Sequence, residues 1–399
     1  MIVGVPKELF PGEKRVAMVP DLVPMLKKRG IDVLVEQGAG FGAGHLDKVY
    51  EEKGATVTAS RDEIFQKADI IVQVRSYGGD EDASKEDLAR MKAGQLVCGQ
   101  SDSLGNAEKA KEFAEKKVNL FSMELVPRIT RAQSMDVLSS QANIAGYKAV
   151  LLGAAELPKI FPMMMTAAGT IAPAKVFVIG AGVAGLSAIA TAKRLGAVVH
   201  AFDVRPEVKE QIESLGGKFV EVELDTSEAK GEGGYAKEQS EEFLKKQREM
   251  MAKVVAESDV IITTAAIPGR KSPVIVTADM VKHMHPGSVI IDLASERGGN
   301  CELTKHGERI IENDVVIIGP SNIVSTVATH ASQMYAKNIQ TLLFHLIDKE
   351  GNFNVDMSDE INEGSMVVYS GEVVHARVRD ILGMPAKAKP AESNDTKEA

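Results

Sequence analysis

An apolar run that breaks into glycines and then into a helical pattern, Lys175-Val-Phe-Val-Ile-Gly-Ala-Gly-Val-Ala-Gly-Leu186, constrains this chain more than any other stretch. It predicts a strand, a tight turn and a helix in immediate succession, the opening unit of a dinucleotide-binding fold. Gly180 serves the turn, Gly182 lets a pyrophosphate approach the backbone, and Gly185 lets helix and strand pack closely, with the helix N-terminus facing the phosphate charge. A glycine triplet alone is weak evidence, being often no more than a turn. Here it follows a strand, opens a helix over Ala184 to Leu195, and precedes a second strand, Ala197 to Phe202, that ends in Asp203. An acid at that place accepts both hydroxyls of an adenosine ribose and repels a 2′-phosphate, so the expected cofactor is NAD(H).

At 399 residues the chain exceeds one ordinary core, and two domains are expected. A formal net charge of −9 without a Lys/Arg cluster argues against nucleic-acid binding. Cys98 and Cys301 have no metal-ligand spacing; a reduced compartment, plain packing roles and no metal are expected. The opening Met-Ile-Val-Gly-Val-Pro-Lys reads as strand and turn, not as a signal peptide. The uncharged run Val176 to Ala192 is short for a membrane span and contains the glycine turn, so no direct membrane insertion is expected.

Before the glycine stretch, β-rich runs at Ile2 to Val5, Asp32 to Val35, Asp69 to Val74, Gln95 to Cys98 and Val118 to Met123 alternate with helical patterns such as Asp21 to Arg29 and Asn106 to Lys117. The alternation predicts a parallel, doubly wound sheet whose binding edge includes Lys7, Arg15 and Arg75, though for each taken alone a surface salt bridge is the expected role over a ligand contact. A long apolar helix over Ser134 to Leu157 carries the chain onward, and Phe161 to Pro173 follows, turn-punctuated, its methionines read as core or interface filler. Six strands are expected next: Val176 to Ile179, Ala197 to Phe202, Lys218 to Val222, Val260 to Thr264, Ser288 to Leu293 and Val315 to Ile318. A last long helix, His330 to Ile347, returns the chain. The class is therefore α/β, with two Rossmann-like doubly wound parallel-sheet domains joined by long helices. Residues 1–133 plus 325–385 form a discontinuous first domain, 134–324 the nucleotide-binding domain, and 386–399 a disordered tail. Asp225 to Glu238, polar and with Tyr235 beside Gly233 and Gly234, reads as a mobile lid.

Just ahead of the crossing helix, Arg128, Arg131, Gln133 and Asp136 crowd together. Capping by Ser134 with an Arg–Asp136 ion pair accounts for some of this but leaves Gln133 and one arginine without a task. The segment Pro127-Arg-Ile-Thr-Arg-Ala-Gln-Ser-Met-Asp-Val-Leu-Ser-Ser-Gln141, with Phe161 to Thr170, Ala190 to Ala197, Glu213 to Phe219 and Gly233 to Glu238, resembles the NAD(H)-binding component of proton-translocating NAD(P) transhydrogenases over nearly the whole chain. The opening Val5-Pro-Lys-Glu8 and Pro11-Gly-Glu-Lys-Arg-Val16 are shared with the related alanine dehydrogenases. The resemblance implies NAD(H) contacts from Gly180, Gly182, Val183, Gly185, Asp203, Val204, Arg205, Gly234, Tyr235, Thr264 and Ala265. It also implies a nicotinamide-side group of Arg128, Gln133, Asp136 and Ser139, with Arg128, Gln133 and Asp136 serving transfer and Gln133 bridging the two nicotinamide rings. It further implies a homodimer, a partner subunit carrying NADP(H), a membrane-embedded proton-translocating partner, and a cytoplasmic place peripheral to the membrane through those partners. The chain ends before any membrane helix, which fits the form with a separate subunit.

Three departures separate the chain from alanine dehydrogenase. Where that family has a catalytic His, Gly99, Gln100 and Ser101 stand here; its substrate Lys appears as Gln73 with Arg75 nearby, and its late Asp as Glu296. Reducing a keto acid needs a proton donor on a developing oxyanion, whereas transfer between two nicotinamides creates none, so positioning suffices. The alternatives are an amino-acid dehydrogenase and a non-catalytic NAD(H)-sensing subunit.

Overall fold

The computed structural model describes residues 1–80, 83–221, 241–266 and 271–386. The loop of Gly234 and Tyr235, the end of the expected third strand and the expected tail lie outside them. The chain divides into two compact units, one of Met1–Leu138 together with the chain from Ala328 on, the other Ser139–Val327. The crossings thus fall a few residues beyond 133 and 324.

In chain order the strands are β1 (Ile2–Val5), β2 (Asp32–Glu36), β3 (Thr56–Thr58), β4 (Ile70–Arg75), β5 (Leu96–Gln100) and β6 (Asn119–Ser122) in the first unit. The second holds β7 (Met164–Thr166), β8 (Gly169–Ile171), β9 (Lys175–Ile179), β10 (Val198–Phe202), β11 (Lys218–Phe219), β12 (Val260–Thr263), β13 (Val289–Asp292), β14 (Arg309–Glu312) and β15 (Val315–Ile318). The first unit then regains β16 (Met366–Tyr369) and β17 (Glu372–Val373). The long helices are Val137–Glu156 and Ala328–Leu346.

The first sheet runs β17-β16-β6-β5-β4-β1-β2-β3, parallel except that β16 is antiparallel to both β6 and β17. The second runs β11-β10-β9-β12-β13-β15-β14, parallel except for the edge strand β14. Leaving aside the added edges, both follow the order third, second, first, fourth, fifth, sixth of a doubly wound fold. Side chains alternate across a strand, and each sheet accordingly separates two cores. Val3, Val5, Val33, Val35, Val72 and Val74 pack on one face of the first sheet, Leu34, Ile71, Val97 and Leu120 on the other. In the second sheet Val176, Val178, Val260, Ile262 and Ile291 oppose Phe177, Ile179, Ile261, Ile290 and Ile317. Burying such a side chain fully contributes about 1.5–3 kcal/mol, so these period-two runs carry most of the sheet's specification.

Phe161 is buried in the core of the second unit, but residues 162–172 do not form core. β7 and β8 pair antiparallel as a separate two-stranded hairpin, in which Met163, Met164, Met165 and Ile171 are exposed by 60%, 43%, 75% and 47%. Every strand residue of this hairpin is exposed, so no buried face marks it in the sequence.

Candidate nucleotide-binding site

In the second unit the strand order reverses between β9 and β12, since β10 lies on one side of β9 and β12 on the other. Ligands of open α/β sheets sit outside the carboxyl ends of the strands at such a point. The glycine turn follows β9 directly, and Thr264 and Ala265 follow β12 directly.

The three glycines have separable tasks. Gly180 has φ +93°, and a Cβ there would lie 2.6 Å from Thr264 Oγ1. A Cβ at Gly185 would lie 1.8 Å from the Gly180 carbonyl oxygen, so only glycine lets the helix Val183–Arg194 start so close to its strand. Gly182 has ordinary backbone angles and, among the described residues, nothing within 4 Å of where its Cβ would be. It faces open space that a ligand would fill. The helix it precedes has no side-chain cap and no acid in its first turn. Its first N–H groups are therefore left to an incoming anion, which the positive end of the helix dipole favours.

Asp203 ends β10, is 9% exposed, and accepts the Ala181 N–H on Oδ2 at 2.7 Å and the Arg205 N–H on Oδ1 at 2.9 Å. The Arg205 side chain donates to the same two oxygens, Nε to Oδ1 at 3.0 Å and Nη2 to Oδ2 at 3.1 Å. Burial works against the charge, but these donors outweigh it and hold the carboxyl below its ordinary pKa. Val183 and Val204, 41% and 80% exposed, adjoin the turn and the acid in sequence. Thr264 Oγ1 donates to the Gly180 carbonyl at 2.9 Å, tying the β12 loop to the turn.

Two residues not singled out in the sequence complete this framework. Asn300, fully buried, accepts the Ala265 N–H at 2.9 Å and donates to the Ala265 carbonyl at 2.8 Å. Gly146, midway along the helix Val137–Glu156, lets that helix lie against Val183–Arg194: a Cβ at 146 would fall 2.0 Å from the Ala184 carbonyl oxygen. A glycine inside a long helical pattern is the available signal for it.

The nicotinamide-side candidates divide between the units. Arg128, Gln133 and Asp136 belong to the first and Ser139 to the second. Gln133 and Arg128 are exposed, with Gln133 on the 3-10 helix Thr130–Met135, and the long helix expected from Ser134 starts at Val137. Asn338 fastens that turn by donating to the Ser134 carbonyl at 2.8 Å. Arg131 finds its carboxylate in Asp359, at 2.6 Å, where the sequence suggests Asp136.

The corresponding crevice of the first sheet, between β1 and β4, is differently furnished. Glu8 accepts the Val74 and Arg75 N–H groups at 2.6 and 3.0 Å, and burial together with the charge of Glu13 pushes its carboxyl up to about 8. Arg15, expected at the surface, is 4% exposed and clasped by Glu13 through Nε at 2.8 Å and Nη2 at 2.7 Å. The Arg75 guanidinium lies 4.2 Å from the Phe10 ring centroid. A Cβ at Gly99 would stand 2.9 Å from the Gln73 carbonyl oxygen, so the first residue of the Gly99-Gln100-Ser101 stretch has no room for a side chain. Cys98 and Cys301 are buried and unpaired with each other, as packing residues. A cavity of about 600 Å³ with Lys159, Lys175, Glu257, Asp259 and His285 in its lining opens at the amino ends of β9 and β12, the edge away from the glycine turn. Among the described residues no cluster suits a metal ion and no helix is long and apolar enough to cross a membrane.

Models of the alanine dehydrogenase/PNT N-terminal and C-terminal domains match residues 4–145 and 149–376. The chain is 47% identical over 377 residues to an NAD(P) transhydrogenase alpha subunit of Rhodospirillum rubrum, covering 94% of this chain and 98% of that one. The crystal structure of transhydrogenase from Sinorhizobium meliloti superposes with a TM-score of 0.80 at 43% identity, over 94% of this chain and 99% of its own. A structure of L-alanine dehydrogenase has a TM-score of 0.78 at 25% identity, over 96% and 99%.

Proposed function

Since the chain belongs to the alanine dehydrogenase/PNT family, and within it to the NAD(P) transhydrogenase alpha subunits, we propose that it is the NAD(H)-binding component of a proton-translocating transhydrogenase. In this reading it passes hydride to NADP+ held by a partner subunit, coupled to proton translocation by a membrane-embedded partner. It works as a homodimer in the cytoplasm, peripheral to the membrane through those partners. The observation that carries the NAD(H) assignment is the switch-point crevice with Gly182 facing open space and Asp203 fixed beneath the turn by the Ala181 N–H.

The residues fit the cofactor. Gly182 and the uncapped helix receive the pyrophosphate, and the Asp203 carboxylate, kept ionised by its donors, accepts the ribose hydroxyls. Bound NADH supplies the hydride. Gln133, exposed on its short helix, is the side chain that presents toward the second ring, with Arg128 and Asp136 orienting the near one. No proton donor is needed, because hydride exchange between two nicotinamides develops no oxyanion; positioning is the contribution of this group. The dehydrogenase alternative is disfavoured by the closed space at Gly99.

The test is single-turnover hydride transfer after mixing the NADH-loaded chain with an NADP+-loaded partner subunit in a stopped-flow instrument. Gln133→Asn keeps the amide and shortens its reach, so transfer should slow by about a hundredfold while NADH affinity changes little. Equal losses of binding and transfer would make Gln133 an ordinary cofactor contact, and no loss of either would remove it from the transfer site. NADH oxidation by pyruvate and ammonium at ordinary dehydrogenase rates would replace the proposal altogether.

A further inference from the structure

The Asp203 carboxylate receives four donors on two oxygens, and they differ in kind. The Ala181 and Arg205 N–H groups are backbone, held by the turn and by the start of the following 3-10 helix, Pro206–Val208. The other two come from one guanidinium on a side chain 51% exposed. A ribose that offers two hydroxyls to this carboxylate can take only the places of the exchangeable pair. Nucleotide binding therefore displaces the Arg205 fork and leaves a cation beside the 2′ position.

That displaced cation has a chemistry of its own. An arginine next to the 2′ position is what accommodates a 2′-phosphate in NADP sites, through charge-assisted, often bidentate hydrogen bonds. Its backbone does not depend on Asp203 alone. Arg205 sits before Pro206, which confines it to extended angles, and φ −93°, ψ 113° are what it adopts. The charged neighbours of the guanidinium are Asp203, which holds it, and Glu207, which adds to its stabilisation as a cation.

Resting on the NAD(H) reading, we propose that Asp203 and Arg205 are one specificity element, in which Arg205 is a latent ligand for the 2′-phosphate of NADP(H) and Asp203 keeps it out of use. The acid then acts twice, by accepting the ribose hydroxyls and by neutralising the group that would otherwise select the wrong nucleotide. A simple repulsion model gives Arg205 no role in discrimination.

The two models separate in a double-mutant set measured by equilibrium titration with NADH and with NADPH: the unaltered chain, Asp203→Asn, Arg205→Ser and the two together, with Asp203→Ser as a smaller replacement should the amide perturb the turn. Asp203→Asn should weaken NADH and tighten NADPH by about tenfold or more, a gain that fades with added salt. Arg205→Ser on that background should abolish the gain, while Arg205→Ser alone should not tighten NADPH. NADPH binding as tight in the double variant as in Asp203→Asn would overturn the proposal in favour of repulsion alone, and so would the absence of any gain in both Asp203 variants while NADH still binds. An unaltered chain that binds neither nucleotide would instead bring down the NAD(H) reading, and this proposal with it.

Discussion

A methyl group added at position 182 and one added at position 185 meet opposite surroundings, and the difference separates folding from binding. At 185 the new carbon would fall 1.8 Å from a carbonyl oxygen, which the helix can relieve only by moving off its strand. Overpacking of this kind costs about 1–3 kcal/mol. Gly185→Ala should therefore lower the thermal unfolding midpoint by several degrees. At 182 the carbon would enter space that no described atom occupies, with φ already at −75°, so stability should hold while NADH affinity falls by about tenfold or more. Thermal scans with and without NADH read both effects. A Gly182→Ala chain that unfolds early and binds normally would mean that the open space is not the nucleotide's. These two roles are legible in the residue spacing; the one at Gly146 is not, because nothing local distinguishes a glycine that admits a neighbouring helix from one that merely weakens its own.

At the scale of elements, the buried acid at the first sheet's crevice gives that unit a pH dependence. Glu8 has its carboxyl raised from 4.5 to about 8 by burial and by Glu13. The folded chain thus holds this proton more tightly than the unfolded chain does. The associated stability is fully present below about pH 4.5 and is lost as pH rises toward 8, at up to ~1.4 kcal/mol per pH unit. Glu8→Gln removes the titration, and urea unfolding at pH 5.5 and 8 should show its stability declining less over that interval than that of the unaltered chain. An identical decline would place the carboxylate in contact with water. The strands flanking this crevice can be anticipated because their apolar residues form unbroken runs buried on both faces. Arg309–Glu312 cannot: it carries charges at both ends and one half-buried residue, and is a strand only because β15 offers it an edge. β16 is likewise made by pairing, with β6 more than 240 positions away in sequence, and β17 by pairing with β16. The partner of Arg131 is hidden for the same reason, since Asp359 is 228 residues distant and no periodicity reports a contact of that range.

For the whole molecule, the proposed homodimer has a candidate surface in the exposed methionine hairpin. A two-stranded hairpin is marginal alone in water, and its apolar residues stand in solvent at Met163, Met164, Met165 and Ile171. Met165→Glu, at the most exposed of these, should convert the proposed dimer to monomers in sedimentation velocity at micromolar concentration while leaving the unfolding midpoint of each chain within a few degrees. A dimer that survives this change would move the interface elsewhere on the chain.

The same strand order occurs twice in this chain, and the two occurrences have been given different occupants. One crevice is lined by glycine and bare N–H groups, the other by Glu8, Glu13 and an arginine already engaged. The molecule thus contains its own control experiment. Whatever a doubly wound sheet contributes to nucleotide affinity by shape alone is present in both halves. Any difference in occupancy between them measures side-chain chemistry with architecture held constant.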